Sequence, residues 1–228
     1  EIDDASQSSA MRLCEQIDIL YEDDYLMVIN KPAGLLSVPG KGDEIDACTW
    51  LQDKCHLPFL RAVHRLDQDT SGLLILAKEP MVYKQLQSYF QRRDILKRYE
   101  AIIMPLPHSP LAATSTQAEG MIELPLLPNP FDRPRQMVDH AHGKVAITRY
   151  CLRAKRPDGS ILVDFYPLTG RTHQLRVHAA HIEGLNAPIM GDRLYGQPRE
   201  RLMLHAAEIS FIHPITKEEM HFCIPSNF

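Results

Sequence analysis

The sequence predicts an α+β fold, a mixed, largely antiparallel β-sheet core with short flanking helices. Short apolar stretches bounded by Gly, Pro and Asp recur along the whole chain, which is the signature of many strands. The few segments with helical periodicity fall among those strands without the regular strand–helix alternation of a parallel sheet. A hydrophobic content of 44% over 228 residues is ordinary for a packed globular protein.

The elements follow in order. Residues 1–16 are Ser- and Asp-rich and read as an acidic flexible leader. IDILYEDDYLMVIN (17–30) reads as two strands around an acidic turn, followed by a Pro-Gly punctuated loop through Gly40. Residues 45–55 fit a short helix whose Trp50 is a core candidate. GLLILAK (72–78) is a buried strand, and Met81, Val82, Leu86, Tyr89 and Phe90 mark a helix starting at Pro80. KRYEAIIM (97–104) is a strand whose alternation puts Lys97, Tyr99 and Ala101 on one face. Residues 105–136 hold seven prolines and read as a hinge between two halves. Strands resume at 145–153 and 160–167, a helix follows over 172–182, and two strands near 203–212 and 217–224 close the chain.

Charge and cysteine narrow the function classes. The formal net charge is −4, yet residues 1–30 carry eight acidic side chains against Arg12, so residues 31–228 are mildly basic at +3. Arg133, Arg135, Lys144, Arg149, Arg153, Lys155 and Arg156 cluster within 132–156, a patch able to neutralise several phosphates and equally readable as a solvated charged hairpin. The five cysteines are scattered without a CxxC pair, as reduced thiols are. Neither Cys48/Cys55/His56 nor His173/His178/His181 has a recognised metal-ligand spacing. With no apolar run near the ~20 residues of a membrane span and no signal segment, a cytoplasmic location is expected, with no membrane or DNA partner.

Two segments carry chemistry. In HRLDQDTSG (64–72), an extended His64–Asp67 sets Arg65 and Asp67 on one face and His64 and Leu66 on the other, just before a Thr-Ser-Gly turn. Asp67 there reads either as a held functional carboxylate or as an ordinary Asx-turn residue. In GRTHQLRVH (170–178), Arg171 stands at a glycine-marked turn into an amphipathic helix.

These segments, with NKPAGLLSVPG (30–40), KRYEA (97–101), GKVAITRY (143–150), PIMGDRLYG (188–196) and LHAAEISF (204–211), resemble in order the blocks of the RluA-type family of pseudouridine synthases over roughly residues 17–225. The resemblance implies the pseudouridine synthase fold, two halves around a central cleft, with 17–228 as one catalytic domain. It implies isomerisation of a uridine in ribosomal or transfer RNA, without metal, nucleotide or redox cofactor, by a protein expected to act as a monomer on a structured stem-loop. The family's aspartate falls on Asp67, as nucleophile on sugar or base, or as the base that starts glycal formation. Its tyrosine falls on Tyr99, which packs on the uracil ring, with help in removing the C5 proton as a second implied role. Its basic partner falls on Arg171 and its apolar ring contact on Leu175.

A uridine within folded RNA must be flipped out to be reached, at a cost of a few kcal/mol. A pocket that strips water from a carboxylate tends to neutralise it, and an adjacent arginine opposes that by ~1 to 3 pKa units. Arg65 either replaces the expelled base in the stack or forms a surface ion pair. His64, Lys31, Arg133, Arg135 and Lys144 complete the expected RNA contacts, with a tight structural turn an equal alternative for Lys31, Pro32 and Gly34. Many members of the family carry a small additional RNA-binding domain ahead of the catalytic region, for which residues 1–16 are too short and too acidic. Two other classes fit parts of the sequence: a non-catalytic RNA-binding module using the basic patch, and a metal-dependent hydrolase built on the late histidines.

Overall fold

A computed structural model describes residues 2–42, 44–111 and 118–228. In chain order its elements are α1 (Ile2–Cys14), β1 (Asp18–Glu22), β2 (Leu26–Lys31), α2 (Ala47–Lys54), β3 (Arg61–Ala62), β4 (Ser71–Ala77), α3 (Pro80–Arg92) and β5 (Leu96–Ile103). There follow β6 (Glu119–Glu123), β7 (Leu126–Pro128), β8 (Gln136–Val138), β9 (Ile147–Lys155), β10 (Ile161–Pro167), α4 (Gln174–Ala180), β11 (Leu204–Ile212) and β12 (Glu219–Cys223). The α+β class with a largely antiparallel sheet stands as the sequence predicts.

The chain forms two compact units, Glu1–Leu96 with Ala206–Ser226, and Lys97–His205 with Asn227–Phe228. In the first, the strand order is β1-β2-β4-β11, with β3 on β4 and β12 on β11. β4 is buried at every position, which is why SGLLILA reads as a continuous apolar run rather than an alternation. Leu73, Ile75 and Ala77 pack with Val82 and Leu86 of α3, Ile209 and Phe211 of β11, and Leu26 and Val28 of β2. α3 starts where Pro80 fits the first helical position and stops at Arg93 in the left-handed conformation. α2 is capped by Asp46, whose carboxylate accepts the Thr49 N–H at 2.9 Å. Gly72 is obligatory: its φ is +116°, and a Cβ there would lie 2.3 Å from the Ala206 carbonyl oxygen.

In the second unit the order is β5-β10-β9-β6, and β7–β8 form a separate antiparallel ribbon. One core holds Ala101 and Ile103 of β5, Val163 and Phe165 of β10, Leu152 of β9, and Leu175 and Ala179 of α4, with Tyr99 packed against it.

Within the acidic leader Ile2–Cys14 is a helix, and Cys14 at its end is fully buried. Leu13 explains the docking, since its Cδ1 lies against Gly34, where a Cβ would stand only 3.3 Å away. The proline-rich stretch is not the divide between the units. Of 105–136, residues 112–117 lie outside the described residues. Residues 105–111 are tied within the second unit: Leu106 N–H donates to Asn186 O at 3.0 Å, the Ser109 hydroxyl to Leu185 O at 2.7 Å, and the Asn186 amide to Pro107 O at 3.2 Å. Proline removes backbone donors but not acceptors, and the 185–187 backbone and side chains meet those that remain.

Candidate active site

HRLDQDTSG links β3 to β4, with its last two residues, Ser71 and Gly72, opening β4. Residues 64–67 join no strand ladder, and the turn after them closes with Thr70 N–H donating to Asp67 O at 3.0 Å. Leu66 is buried and Arg65 exposed, in line with the alternation read from sequence, while His64 and Asp67 are both half-buried. The segment is clamped from below. The buried Ser37 hydroxyl donates to Leu66 O at 2.8 Å and accepts Leu66 N–H at 3.1 Å, so one side chain fixes both backbone groups of the residue before Asp67. On the other flank the Gln68 carbonyl accepts Gly34 N–H at 2.8 Å and the Lys31 ammonium at 3.1 Å.

Lys31, expected among the RNA contacts, is fully buried. Its ammonium also donates to Pro32 O at 2.9 Å and Leu35 O at 2.6 Å. It therefore closes the 32–35 turn and joins it to the Asp67 segment. A buried ammonium needs such partners, and these carbonyls have no regular ladder to supply donors. Gly34, at φ +89°, makes the turn possible.

His64, also expected to touch substrate, anchors the segment. Its Nε2 accepts Ile75 N–H of β4 at 3.1 Å and its ring stacks on Phe90 at 4.8 Å. Arg65 differs from all of these: its side chain is exposed, with no hydrogen bond or ion pair among the described residues. The surface ion pair considered from sequence is thus absent among those residues.

In the second unit, Tyr99 pairs with Phe165 across β5–β10 and is half-buried. Lys97 shares its face of β5 by alternation, and burial pushes the Lys97 amine down to about 8. Leu175 is buried within the core against which Tyr99 packs. Arg171 is held at two points: its N–H donates to Gln174 Oε1 at 3.1 Å and its Nε to Val145 O at 3.0 Å. Its remaining guanidinium nitrogens sit on an exposed residue.

Gln174 is the buried organiser of this turn. Its Oε1 also accepts the Thr169 hydroxyl at 2.7 Å, and its amide donates to Ile147 O at 3.0 Å and Thr148 Oγ1 at 2.9 Å. The Thr148 hydroxyl is thereby left to donate to His178 Nδ1 at 2.9 Å, while His178 Nε2 lies 3.0 Å from Leu124 O. His178 is then the neutral Nε2–H tautomer, and burial lowers its pKa. Both its nitrogens are engaged, which takes it out of the late-histidine metal set considered above. α4 is further braced by Arg176, which grips buried Asp192 through Nε (2.8 Å) and Nη2 (2.7 Å).

The basic patch divides. Arg135 is committed, donating from Nε to Leu194 O at 2.7 Å and pairing with Asp132. Arg133 and Lys144 are exposed, with no partner among the described residues. Among the described residues no three His, Cys, Asp or Glu side chains gather as metal ligands, and no helix is long and apolar enough to cross a membrane. Sequence reasoning missed Ser37 and Gln174. Both lie inside the matched blocks, so block membership marks them, while their role depends on partners that local pattern does not reveal.

Residues 25–181 match the RNA pseudouridylate synthase family model. The chain is 36% identical over 217 residues to the dual-specificity RNA pseudouridine synthase RluA of Haemophilus influenzae, covering 93% of this chain and 94% of that protein. It is 39% identical over 215 residues to its Escherichia coli counterpart, covering 92% and 93%. Among solved structures, human RNA pseudouridylate synthase domain containing 4 superposes with a TM-score of 0.71 at 25% identity, covering 98% of this chain and 93% of that one. Human RNA pseudouridylate synthase domain containing 1 gives 0.72 at 26% identity, covering 94% and 85%. Ordered blocks, fold and relatives agree, and the chain belongs to the RluA-type RNA pseudouridine synthases, which are isomerases acting on RNA.

Proposed function

We propose that this enzyme acts in the cytoplasm, as a monomer, on uridines in stem-loops of ribosomal or transfer RNA. Two of its relatives are named dual-specificity enzymes, which supports more than one RNA target. The C1′–N1 bond of uridine breaks, the uracil turns, and a C1′–C5 bond forms; C5 gives up its proton and N1 gains one. Atoms balance without an oxidant, reductant or second substrate.

In this reading Asp67 supplies the carboxylate that starts the reaction, whether as nucleophile or as base. The family's basic partner falls on Arg171, and a cation is the group that opposes the desolvation of an anion. Tyr99 and Leu175 hold the ring by stacking and apolar contact. Tyr99 is assigned to stacking because a phenol with an ordinary pKa near ~10 is a poor base at neutral pH. Arg65 enters the RNA stack in place of the departed base, its planar guanidinium stacking where an ammonium would not.

The observation that carries the reading is the contrast at 64–67. Ser37, Lys31 and His64 spend their polar groups fixing the backbone around Asp67, while Arg65 beside it is exposed and uncommitted. A rigid loop presenting one carboxylate and one available guanidinium suits chemistry on a flipped base. The test uses unmodified transcripts tritiated at uridine C5. Wild type should release tritium to water without added metal, and Asp67→Asn should bind the same transcripts and release none. Release by Asp67→Asn at the wild-type rate would remove Asp67 from the mechanism, and no release by wild type from any transcript would defeat the isomerase reading.

A further inference from the structure

The β7–β8 ribbon ends in a loop, residues 129–135, whose Phe131 is 96% exposed, the highest value for any large apolar side chain among the described residues. The loop beneath it is tied down. Phe131 N–H donates to Asn129 Oδ1 at 3.0 Å, Asn129 N–H to Arg135 O at 2.9 Å, and Arg135 N–H to Asp132 O at 2.9 Å. Arg135 fastens the loop to Leu194 O, and Tyr195 Oη accepts Gln136 N–H at 2.7 Å. The ring is thus held out in water by a fixed backbone, where its apolar area gains nothing in the isolated protein.

Its electrostatic surroundings are selective. Asp132 is taken up by Arg135, and Asp139 by Ala141 and His142 N–H groups at 2.8 Å each. The cations left over are Arg133, two residues from the ring, and Lys144 at the ribbon's foot. The next residue, Val145, is the one whose carbonyl holds Arg171. The ribbon therefore rises directly from the backbone that positions Arg171.

We propose that Phe131 is a base-stacking residue for substrate RNA: its ring stacks on an unpaired base flanking the target uridine, while Arg133 and Lys144 contact neighbouring phosphates. This rests on the RNA substrate proposed above. One exposed aromatic ring on a ribbon that also carries two exposed cations matches a single-stranded nucleotide, which offers a π-face and a charge together. A second copy or an apolar protein partner would need a contiguous apolar patch of several hundred Å², and the ring's chain neighbours are Pro130 and Asp132.

Tritium release from the same C5-labelled transcripts, measured against RNA concentration, tests it. Phe131→Ala should raise KM roughly 5- to 100-fold, the range one base–aromatic stack is worth, with kcat and melting temperature unchanged. Phe131→Tyr should restore KM and Phe131→Leu should not, since a leucine offers contact without a π-face. A KM for Phe131→Ala within twofold of wild type overturns the proposal, as does full restoration by leucine. Loss of a dimer in sedimentation on Phe131→Ala also overturns it, by assigning the ring to a second copy. If wild type releases no tritium, the isomerase reading falls, and gel-shift binding of the same transcripts still decides Phe131: weaker for Ala than for Tyr supports stacking, equal binding refutes it.

Discussion

Removing the Ser37 hydroxyl should loosen the catalytic loop more than the loss of one oxygen suggests. In Ser37→Ala two buried backbone groups of Leu66 lose their partner at once, the N–H bonded at 3.1 Å and the C=O at 2.8 Å. An orphaned buried polar group costs about 1–3 kcal/mol, so the pair costs about 2–6 kcal/mol. Ser37 is only 3% exposed, so a water must fit the volume of the lost hydroxyl to recover part of that, and the low end, about 2 kcal/mol, is the working expectation. For a chain of this size that lowers the melting temperature by about 4–8 °C. The functional effect should be larger in proportion, because Leu66 precedes Asp67 and a displacement near 1 Å can cost about 100-fold in rate. Urea unfolding and C5 tritium release, run on wild type, Ser37→Ala and Ser37→Thr, separate the two effects. Thr keeps the hydroxyl and should recover most of the rate. A stability change under about 0.5 kcal/mol, the level of an ordinary surface substitution, together with an unchanged kcat in Ser37→Ala would show that the clamp positions nothing.

Two further outcomes follow from individual side chains. Arg65→Ala should leave melting unchanged, since the side chain is exposed and without partners among the described residues, yet reduce turnover on stem-loop RNA by at least about tenfold, with Arg65→Lys no better because the planar fork is lost; turnover equal to wild type in the Ala variant refutes base replacement. Lys97 has its folded pKa lowered from 10.5 to about 8 by burial, so between those values the unfolded chain holds the extra proton and stability rises with pH, the penalty being complete below about 8. The difference in unfolding free energy between wild type and Lys97→Gln, measured by urea at pH 7 and pH 10, should therefore move in favour of wild type at the higher pH, and a pH-independent difference would contradict a buried cation there.

Much of this protein is legible without coordinates. The apolar run at 72–78 marks the central strand β4 because a strand buried on both faces cannot alternate, and Pro80 marks the start of α3 because proline fits only the first helical turn. HRLDQDTSG and GRTHQLRVH announce Asp67 and Arg171 because the ordered blocks around them resemble one family. Burial at Arg65 and Leu66 also follows the predicted alternation, although His64 and Asp67 are alike half-buried and the segment joins no ladder.

Fold class, family and the residues at which chemistry is to be sought are therefore readable in the chain alone, because all of them depend on local pattern or on block order. Which polar side chains are committed to the scaffold emerges only on folding. Lys31 reads from sequence equally as an RNA contact or as part of a tight turn, and only the fold shows its ammonium on Gln68 O, 37 residues away, and His64 Nε2 on Ile75 N–H, 11 residues away. Ser37 and Gln174 look unremarkable until they are found holding Leu66 and the Arg171 turn. The two units part at Leu96/Lys97 and His205/Ala206, inside strands, rather than in the proline-rich stretch. The physical reason is common to these cases. A buried donor or acceptor must find a partner, and which one it finds depends on chain segments brought together by packing, which no periodicity of 2 or 3.6 encodes.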